Sequence, residues 1–420
     1  MARVKDLWHA EVNGPDGRKV KRKTARHPDN GGSKDAKRWL AVWLDPSGRE
    51  KSKAFQAKER ARLYARRMEE DAARGEYIAP DAGAVLFATY AKRWINSRVS
   101  VDPATHIRYE TVLRLHVEPV FGGRKVGSIK PSEVQEFLTE LAGRFGTSTV
   151  KGALLVLQGV FDLAVADEKL KRNPAKSDIV RPPDRTEERI VAWSDETVFA
   201  VIEGHPAHLR AIPVLGAGCG LRFGEAVALA REDIDFTGQC LHVRRQVKKL
   251  GARFVFAAPK SDKERTVPLP GWVAAYLERH IGEYKPRPYS LPWERPTGEP
   301  RTVELLFRWP TDDRHLRQRN YDELVWKPIL AELGVIPEPT RDRRGRKRYA
   351  TTRREGTHQL RHFFASVALA GGVNVKELAE YLGHHDPGFT LRIYSHMLPD
   401  SHERARNAID ERMRRPRLVG

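Results

Sequence analysis

Four stretches of the chain repeat apolar residues at helical spacing. Phe87, Tyr90, Ala91 and Trp94 stand at i, i+3, i+4 and i+7 and predict a helix with one apolar face. Asp102-Pro103 reads as an N-cap with a first helical proline, opening a second helix through Tyr109, Val112 and Leu115 towards Gly122-Gly123. Lys130-Pro131-Ser132 begins a third, with Val134, Phe137, Leu138 and Leu141. Thr147 and Ser148 precede a fourth, rich in Leu154, Leu155, Leu157, Val160, Phe161 and Val165 and ending near Asn173-Pro174. Short connections predict a four-helix module.

Around that module the pattern changes. Pro15-Asp16-Gly17-Arg18 and Pro46-Ser47-Gly48-Arg49 each follow an aromatic stretch and precede a Lys/Arg/Ser/Thr-rich one. Proline fixes φ and glycine accepts the left-handed position, so both read as hairpin turns. A helical pattern follows from Ala54 to Arg74, with Phe55, Leu63 and Met68, and Gly75 stops it. Asp81-Ala82-Gly83-Ala84 and Arg181-Pro182-Pro183-Asp184-Arg185 read as linkers. Beyond Ser194, a predicted N-cap, helices dominate, with short strands near 240–247, 252–258 and 264–269. Residues 284–310 are proline-rich and predict irregular structure, and the basic run 341–354 predicts a mobile DNA-contacting loop. The expected fold is α+β and multidomain. A small N-terminal β-sheet plus helix spans 1–80, the four-helix domain 85–180, and a mixed, mainly helical domain with a small β-sheet 190–420.

Charge changes this picture. The 420 residues hold 75 Lys and Arg against 55 Asp and Glu, a surplus of +20. Residues 1–80 carry 20 basic and 12 acidic groups, so 8 of those charges lie in under a fifth of the chain. Such an excess predicts a polyanionic partner, bound chiefly by releasing counterions from a phosphate backbone. No membrane partner is expected, because the apolar runs read as shorter than the ~18–20 residues of a spanning helix. The first residues lack the apolar centre of a secretory signal. Cys219 and Cys240 make neither a disulfide framework nor a Cys-x-x-Cys pair, which predicts a reducing, cytoplasmic setting.

Four stretches carry candidate chemistry: Gly220-Leu221-Arg222-Phe223-Gly224-Glu225, Pro259-Lys260-Ser261-Asp262-Lys263-Glu264-Arg265, His358-Gln359-Leu360-Arg361-His362, and Leu382-Gly383-His384 followed by Tyr394. Taken singly, Arg222 reads as a surface arginine, Lys260 as a solvated lysine and Tyr394 as a packing residue. Two guanidinium forks can, however, chelate the non-bridging oxygens of one phosphate, a lysine can protonate a departing oxygen, and a phenol can attack phosphorus. His358 and His362 stand at the i, i+4 spacing of zinc helices, but Gln359 replaces the glutamate that a metalloprotease helix needs.

As an ordered set, Arg222, Lys260, His358-x-x-Arg361, His384 and Tyr394 resemble the tyrosine recombinases, the phage integrase family. The likeness extends to the helical module, similar to the family's core-binding domain, and to the N-terminal sheet, similar to the arm-type DNA-binding domain of phage-type integrases. The resemblance implies a site-specific DNA recombinase that cleaves and rejoins DNA through a 3′-phosphotyrosyl link, integrating or excising a phage or mobile element. It implies roles as well. Tyr394 attacks the scissile phosphate, Arg222 and Arg361 clamp its oxygens, and Lys260 protonates the 5′-hydroxyl. His358 assists proton transfer on the nucleophile side and His384 donates to the phosphate. No cofactor, metal or ATP is implied. Expected partners are double-stranded DNA at core and arm-type sites, three further copies in a tetrameric synapse, and DNA-bending accessory proteins, in the cytoplasm at the nucleoid. A basic C-terminal helix over 400–415, with Ala405, Ala408, Ile409 and Met413, is expected to dock on a neighbouring protomer.

Two departures accompany the likeness. His384 and Tyr394 stand ten residues apart, one more than the commonest pattern, which leaves His385 as an alternative. Residues 281–350 exceed a minimal catalytic domain and predict a surface insertion. A type IB topoisomerase-like nicking-closing enzyme shares the chemistry and is the alternative, and a silent DNA-binding protein is a third reading.

Overall fold

The computed structural model describes residues 2–13, 18–183, 191–260, 264–309, 314–394 and 402–413. The chain divides into two compact units, Met1–Arg185 and Thr186–Gly420.

The first unit holds two separate apolar cores. Strands β1 (Arg3–Asp6), β4 (Trp39–Leu44) and β5 (Glu50–Phe55) form a sheet in the order β1-β4-β5, while β2 (His9–Asn13) pairs with β3 (Lys19–Lys23) as a hairpin. The tip of that hairpin, with Pro15-Asp16-Gly17, lies outside the described residues. At the second turn Asp45 Oδ1 accepts from the backbone N–H of Ser47 at 3.0 Å and of Arg49 at 2.9 Å. Gly48 there has a φ of +81°. Helix α1 (Lys58–Ala73) lays Ala61, Ala65 and Met68 on Ala41 and Trp43 of the central strand. It begins four residues later than the periodicity predicts, because Ala54 and Phe55 complete β5.

The helical core follows the predicted faces closely. Helices α2 (Phe87–Asn96), α3 (Pro103–Val112), α4 (Glu118–Phe121), α5 (Pro131–Arg144) and α6 (Thr147–Ala166) enclose it, and a π-helical turn over Leu113–Val117 joins α3 to α4. Asp102 caps α3 through the N–H of Ala104 at 2.9 Å. Helix α6 stops at Ala166, short of Asn173; Glu168 just beyond it adopts a φ of +57°. With a mean hydropathy of 1.5, α6 is long and apolar enough by composition to cross a membrane, contrary to the expectation above. It is the central helix of the module, with eight of its residues buried in that core.

In the second unit the main core gathers α7 (Asp195–Gly204), α8 (Ala211–Cys219) and α9 (Phe223–Ala226). Sheet β10-β7-β6 (Arg265–Pro268, Cys240–Val243, Ile234–Asp235) packs there, while β8 (Gln246–Leu250) and β9 (Arg253–Ala257) pair as a separate hairpin. Helix α10 (Gly271–Glu283) follows. The proline-rich segment is ordered, as hairpin β11 (Arg287–Pro292) with β12 (Pro300–Leu305). A two-stranded ribbon leaves one side of each strand unpaired, so prolines at its ends cost few ladder bonds. Nor is 281–350 only a surface insertion. Helices α11 (Gln318–Tyr321) and α12 (Lys327–Glu332), with the π-helical turn Asp322–Trp326 between them, bring Tyr321, Trp326 and Leu330 into the main core. Within the basic run, β13 (Thr340–Arg341) and β14 (Lys347–Arg348) form a short exposed hairpin, because Asp342 accepts from the N–H of Arg344 and Arg346. Helices α13 (His358–Ala370), α14 (Val375–Leu382), α15 (Pro387–Tyr394) and α16 (His402–Met413) close the chain. On α16, Ile409 and Met413 are exposed; the side chains of Ala405 and Ala408 lie outside those described.

A close approach of α2 to α6 gives a test of the helical core. A Cβ on Gly159 would lie 2.3 Å from the indole Nε1 of buried Trp94. Gly159→Ala therefore loses more to overpacking, about 1–3 kcal/mol, than the ~1 kcal/mol it gains in helix propensity. Thermal unfolding should show a lowered melting temperature, and an unchanged one contradicts this packing.

Candidate active site

Arg222 is held by its own turn of chain. It follows α8, which ends on Gly220 in the left-handed region at a φ of +65°. A Cβ at Gly220 would stand 2.5 Å from the ring of Phe364 on α13, so glycine lets this loop touch that helix. Glu225, three residues on, accepts from the backbone N–H of Arg222 at 2.9 Å and from its guanidinium at 2.8 Å. The same carboxylate takes the fork of Arg265 from β10, at 3.0 and 2.7 Å.

The end of α14 organises the cations. Three successive backbone carbonyls each accept from a different arginine. Tyr381 accepts from Arg265 Nε at 2.8 Å, Leu382 from Arg361 Nη2, and Gly383 from Arg222 Nη2 at 3.4 Å. These are the carbonyls a helix leaves without internal partners, at the negative end of its dipole. Arg361, 3% exposed, also donates from Nη1 to Gly220 O at 2.6 Å. Arg222 and Arg361 thus share one surrounding.

Electrostatics follow from this crowding. Burial alone would raise the Glu225 carboxyl; Arg265, then Arg222 and Arg361, outweigh it and hold it at about 2. Burial and the charge of Arg222 draw Arg361 down to about 9, so it stays protonated at neutral pH. Three guanidiniums face one carboxylate, leaving a formal excess of two positive charges.

The histidines divide in role. His358, the first residue of α13, is exposed; crowding, then Arg361 and Arg222, place its pKa below the ordinary imidazole value. His384 is half-buried, with Nδ1 2.7 Å from the Thr390 hydroxyl, and burial with the same arginines lowers it to about 3. His385 is exposed, so the structure brings His384 into the cluster and leaves its neighbour outside.

Tyr394 ends α15 at 2% exposure, its ring packed with Ala365, Leu369, Leu378 and Leu382. Its hydroxyl is 2.7 Å from Nδ1 of His362, one helical turn beyond His358. Burial lifts the phenol to about 12, against the opposing pull of Arg361 and Arg222.

Lys260 does not tip a hairpin. Strand β9 pairs with β8 and β10 with β7, so Lys260 lies exposed on the connection between two sheets. Residues 261–263 of that connection lie outside the described ones. The charge of Lys260 still lowers the His358 pKa, which puts it within electrostatic reach of the cluster. Elsewhere, Asp235, Cys240 and His242 bring ligand atoms within 4.8 Å of one another. Asp235 already accepts from Gly238 N at 2.7 Å, and the His242 ring meets Thr266 Oγ1 at 3.1 Å.

Sequence reasoning missed Glu225, Arg265 and His362 as members of this site. A carboxylate among Leu221, Ala226, Val227 and Leu229 was the available sign for Glu225.

Phage integrases and Xer-type recombinases are among the known proteins that this chain resembles. Residues 86–142 match the family described as phage integrase, N-terminal SAM-like domain. A putative prophage phiRv2 integrase of Mycobacterium tuberculosis is 28% identical over 371 residues, covering 86% of this chain and 88% of the relative. A XerC-like tyrosine recombinase of Caldanaerobacter subterraneus is 27% identical, covering 72% and 76%. Among solved structures, the Tn1549 transposon integrase in complex with transposon right end DNA superposes with a TM-score of 0.61 at 19% identity. That match covers 78% of this chain and 99% of the other. A lambda integrase dimer bound to a core site gives 0.52 at 14% identity, covering 84% and 91%.

The carboxylate bridge is testable by acid. Because the folded Glu225 lies at about 2 against an ordinary 4.5, its contribution is full above pH ~4.5 and disappears as pH falls towards 2. Glu225→Gln removes one partner of a buried pair, at a cost on the order of 3–5 kcal/mol, and should flatten the decline of melting temperature through that window. A variant as stable as the parent at pH 7 contradicts the bridge.

Proposed function

We infer that the chain is a tyrosine recombinase of the phage integrase family and acts as a site-specific DNA recombinase, from its likeness to such proteins and from the geometry of the site. It cleaves and rejoins double-stranded DNA through a 3′-phosphotyrosyl intermediate, integrating or excising a phage or mobile element. One observation carries the reading of the site. The guanidiniums of Arg222 and Arg361 are anchored on neighbouring carbonyls, and the helix that bears Arg361 also holds the hydroxyl of Tyr394.

In this reading the excess positive charge receives the scissile phosphate. Arg222 and Arg361 bind the non-bridging oxygens, over which charge spreads as phosphorus is attacked. Tyr394 is the nucleophile, Lys260 the acid for the departing 5′-hydroxyl, and His384 a donor to the phosphate. A Thr390 hydroxyl that donates to Nδ1 keeps the His384 proton on Nε2, the nitrogen left to face an anion. His358 assists proton transfer. Fixed cations supply the stabilisation that a metal gives other phosphoryl-transfer enzymes, and the covalent link conserves the phosphodiester energy.

The remaining domains fit the same reading. Residues 1–80 present the exposed basic hairpin with Lys19, Lys21, Arg22 and Lys23, suited to phosphates of an arm-type site. Residues 85–180 serve as the core-binding domain and 190–420 as the catalytic domain. Four copies assemble on two duplexes, with α16 docking on a neighbour, and DNA-bending proteins assist at the nucleoid in the cytoplasm. The matched relatives are integrases and Xer-type recombinases, which favours strand exchange over the nicking-closing alternative.

The test pairs two variants on a substrate with two recombination sites. Tyr394→Phe should bind DNA as the parent does and form no covalent complex. Arg361→Lys, which keeps the charge and loses the fork, should slow cleavage about 100- to 1000-fold. Covalent adduct with Tyr394→Phe overturns the proposal.

A further inference from the structure

The resemblance assigns proton transfer on the nucleophile side to His358, yet the structure puts a different imidazole against the phenol. His362 Nδ1 stands 2.7 Å from the Tyr394 hydroxyl, and the two rings lie with centroids 5.7 Å apart. His358 is at the exposed first position of α13, and His362 is half-buried one turn further in. We propose that His362 is a catalytic residue, the base that takes the Tyr394 proton through Nδ1 as the phenolic oxygen attacks phosphorus. The proposal rests on the reading of Tyr394 as nucleophile.

The step balances without any further reactant. The Oη–H bond of Tyr394 breaks and its proton passes to His362 Nδ1, while Oη bonds to phosphorus. The bond from phosphorus to the 5′-oxygen breaks, and that oxygen takes its proton from Lys260. On rejoining, the imidazolium returns the proton to the departing phenolate.

Two features suit His362 to this work. Its imidazole is neutral in the free protein, since burial, then His358 and Arg361, hold it at about 4, so Nδ1 can accept the hydroxyl. Burial is the larger cause, and the Arg361 part of the lowering is positive charge that a phosphate would offset. An anion bound between Arg222 and Arg361 relieves that repulsion and makes the imidazole a stronger base. Proton transfer then becomes favourable when the scissile phosphate is in place, and the phenol otherwise stays protonated in its apolar surroundings. A burial-raised phenol needs such a base, because at about 12 it offers almost no phenolate at neutral pH.

The test separates the two sides of the reaction with a nicked suicide substrate carrying sulfur in place of the bridging 5′-oxygen. A thiolate leaves without an acid, so Lys260→Ala should cleave it at close to the parent rate. His362→Ala should remain slow on both the sulfur and the natural substrate, by about 100-fold or more, with DNA binding retained in a gel shift. His362→Asn keeps an acceptor near the Nδ1 position that cannot take the proton. It should be as slow as alanine, and it carries the test should alanine disturb the fold. Cleavage at the parent rate by asparagine would reduce His362 to a positioning residue and overturn the proposal. So would faster cleavage by His362→Ala, which would make the contact inhibitory. If the unsubstituted protein forms no adduct at Tyr394 while it binds DNA, the reading of the nucleophile fails first, and the proposal with it.

Discussion

Three successive carbonyls at the end of α14 set the geometry on which the rest of the site depends. Each holds one guanidinium, so Arg265, Arg361 and Arg222 are brought together although they come from a strand, a helix and a loop. Like charges so placed repel one another, and burial makes the repulsion stronger. The helix terminus offsets part of it through its dipole, and Glu225 offsets one full charge. What remains is a surplus of positive charge, and the proposed function gives that surplus a DNA phosphate to bind.

The same arrangement surrounds Tyr394, the proposed nucleophile. Tyr394 packs its ring on the apolar faces of α13 and α14, and its hydroxyl reaches the polar edge at His362. A buried phenol is a poor nucleophile while protonated, and the nearby arginines only partly counter the burial. Under the proposed mechanism this keeps the free protein from idle attack. Binding a phosphate adds the charge that the cluster lacks and changes the balance at every imidazole around it. The proposed mechanism thus couples substrate binding and nucleophile activation through one local field.

The helices of the four-helix core were legible because their apolar positions are local. Phe87, Tyr90, Ala91 and Trp94 sit on the buried face that their spacing predicts, and Asp102-Pro103 starts a helix as its chemistry requires. The arginine, histidine and tyrosine positions were legible only as an ordered set, since each alone is an unremarkable residue. What stayed hidden was non-local. The bonds of Glu225 to Arg265, Arg222 to Gly383 and Tyr394 to His362 join residues 40, 161 and 32 positions apart. No periodicity encodes such pairings. Strand partners were hidden for the same reason. Lys260 looked like a hairpin tip because β9 and β10 are consecutive, whereas each pairs with an earlier strand. Prolines at 288, 292 and 300 masked a hairpin, because a two-stranded ribbon tolerates what a central strand does not.

The central claim is that the surplus guanidinium charge meets charge on the scissile phosphate. The most direct measurement compares Arg361→Ala with the parent on two nicked substrates, one with the natural phosphodiester and one with an uncharged methylphosphonate at the scissile position. The variant should lose covalent adduct on the phosphodiester and lose far less on the methylphosphonate, where no charge needs balancing. An equal loss on both substrates would contradict it.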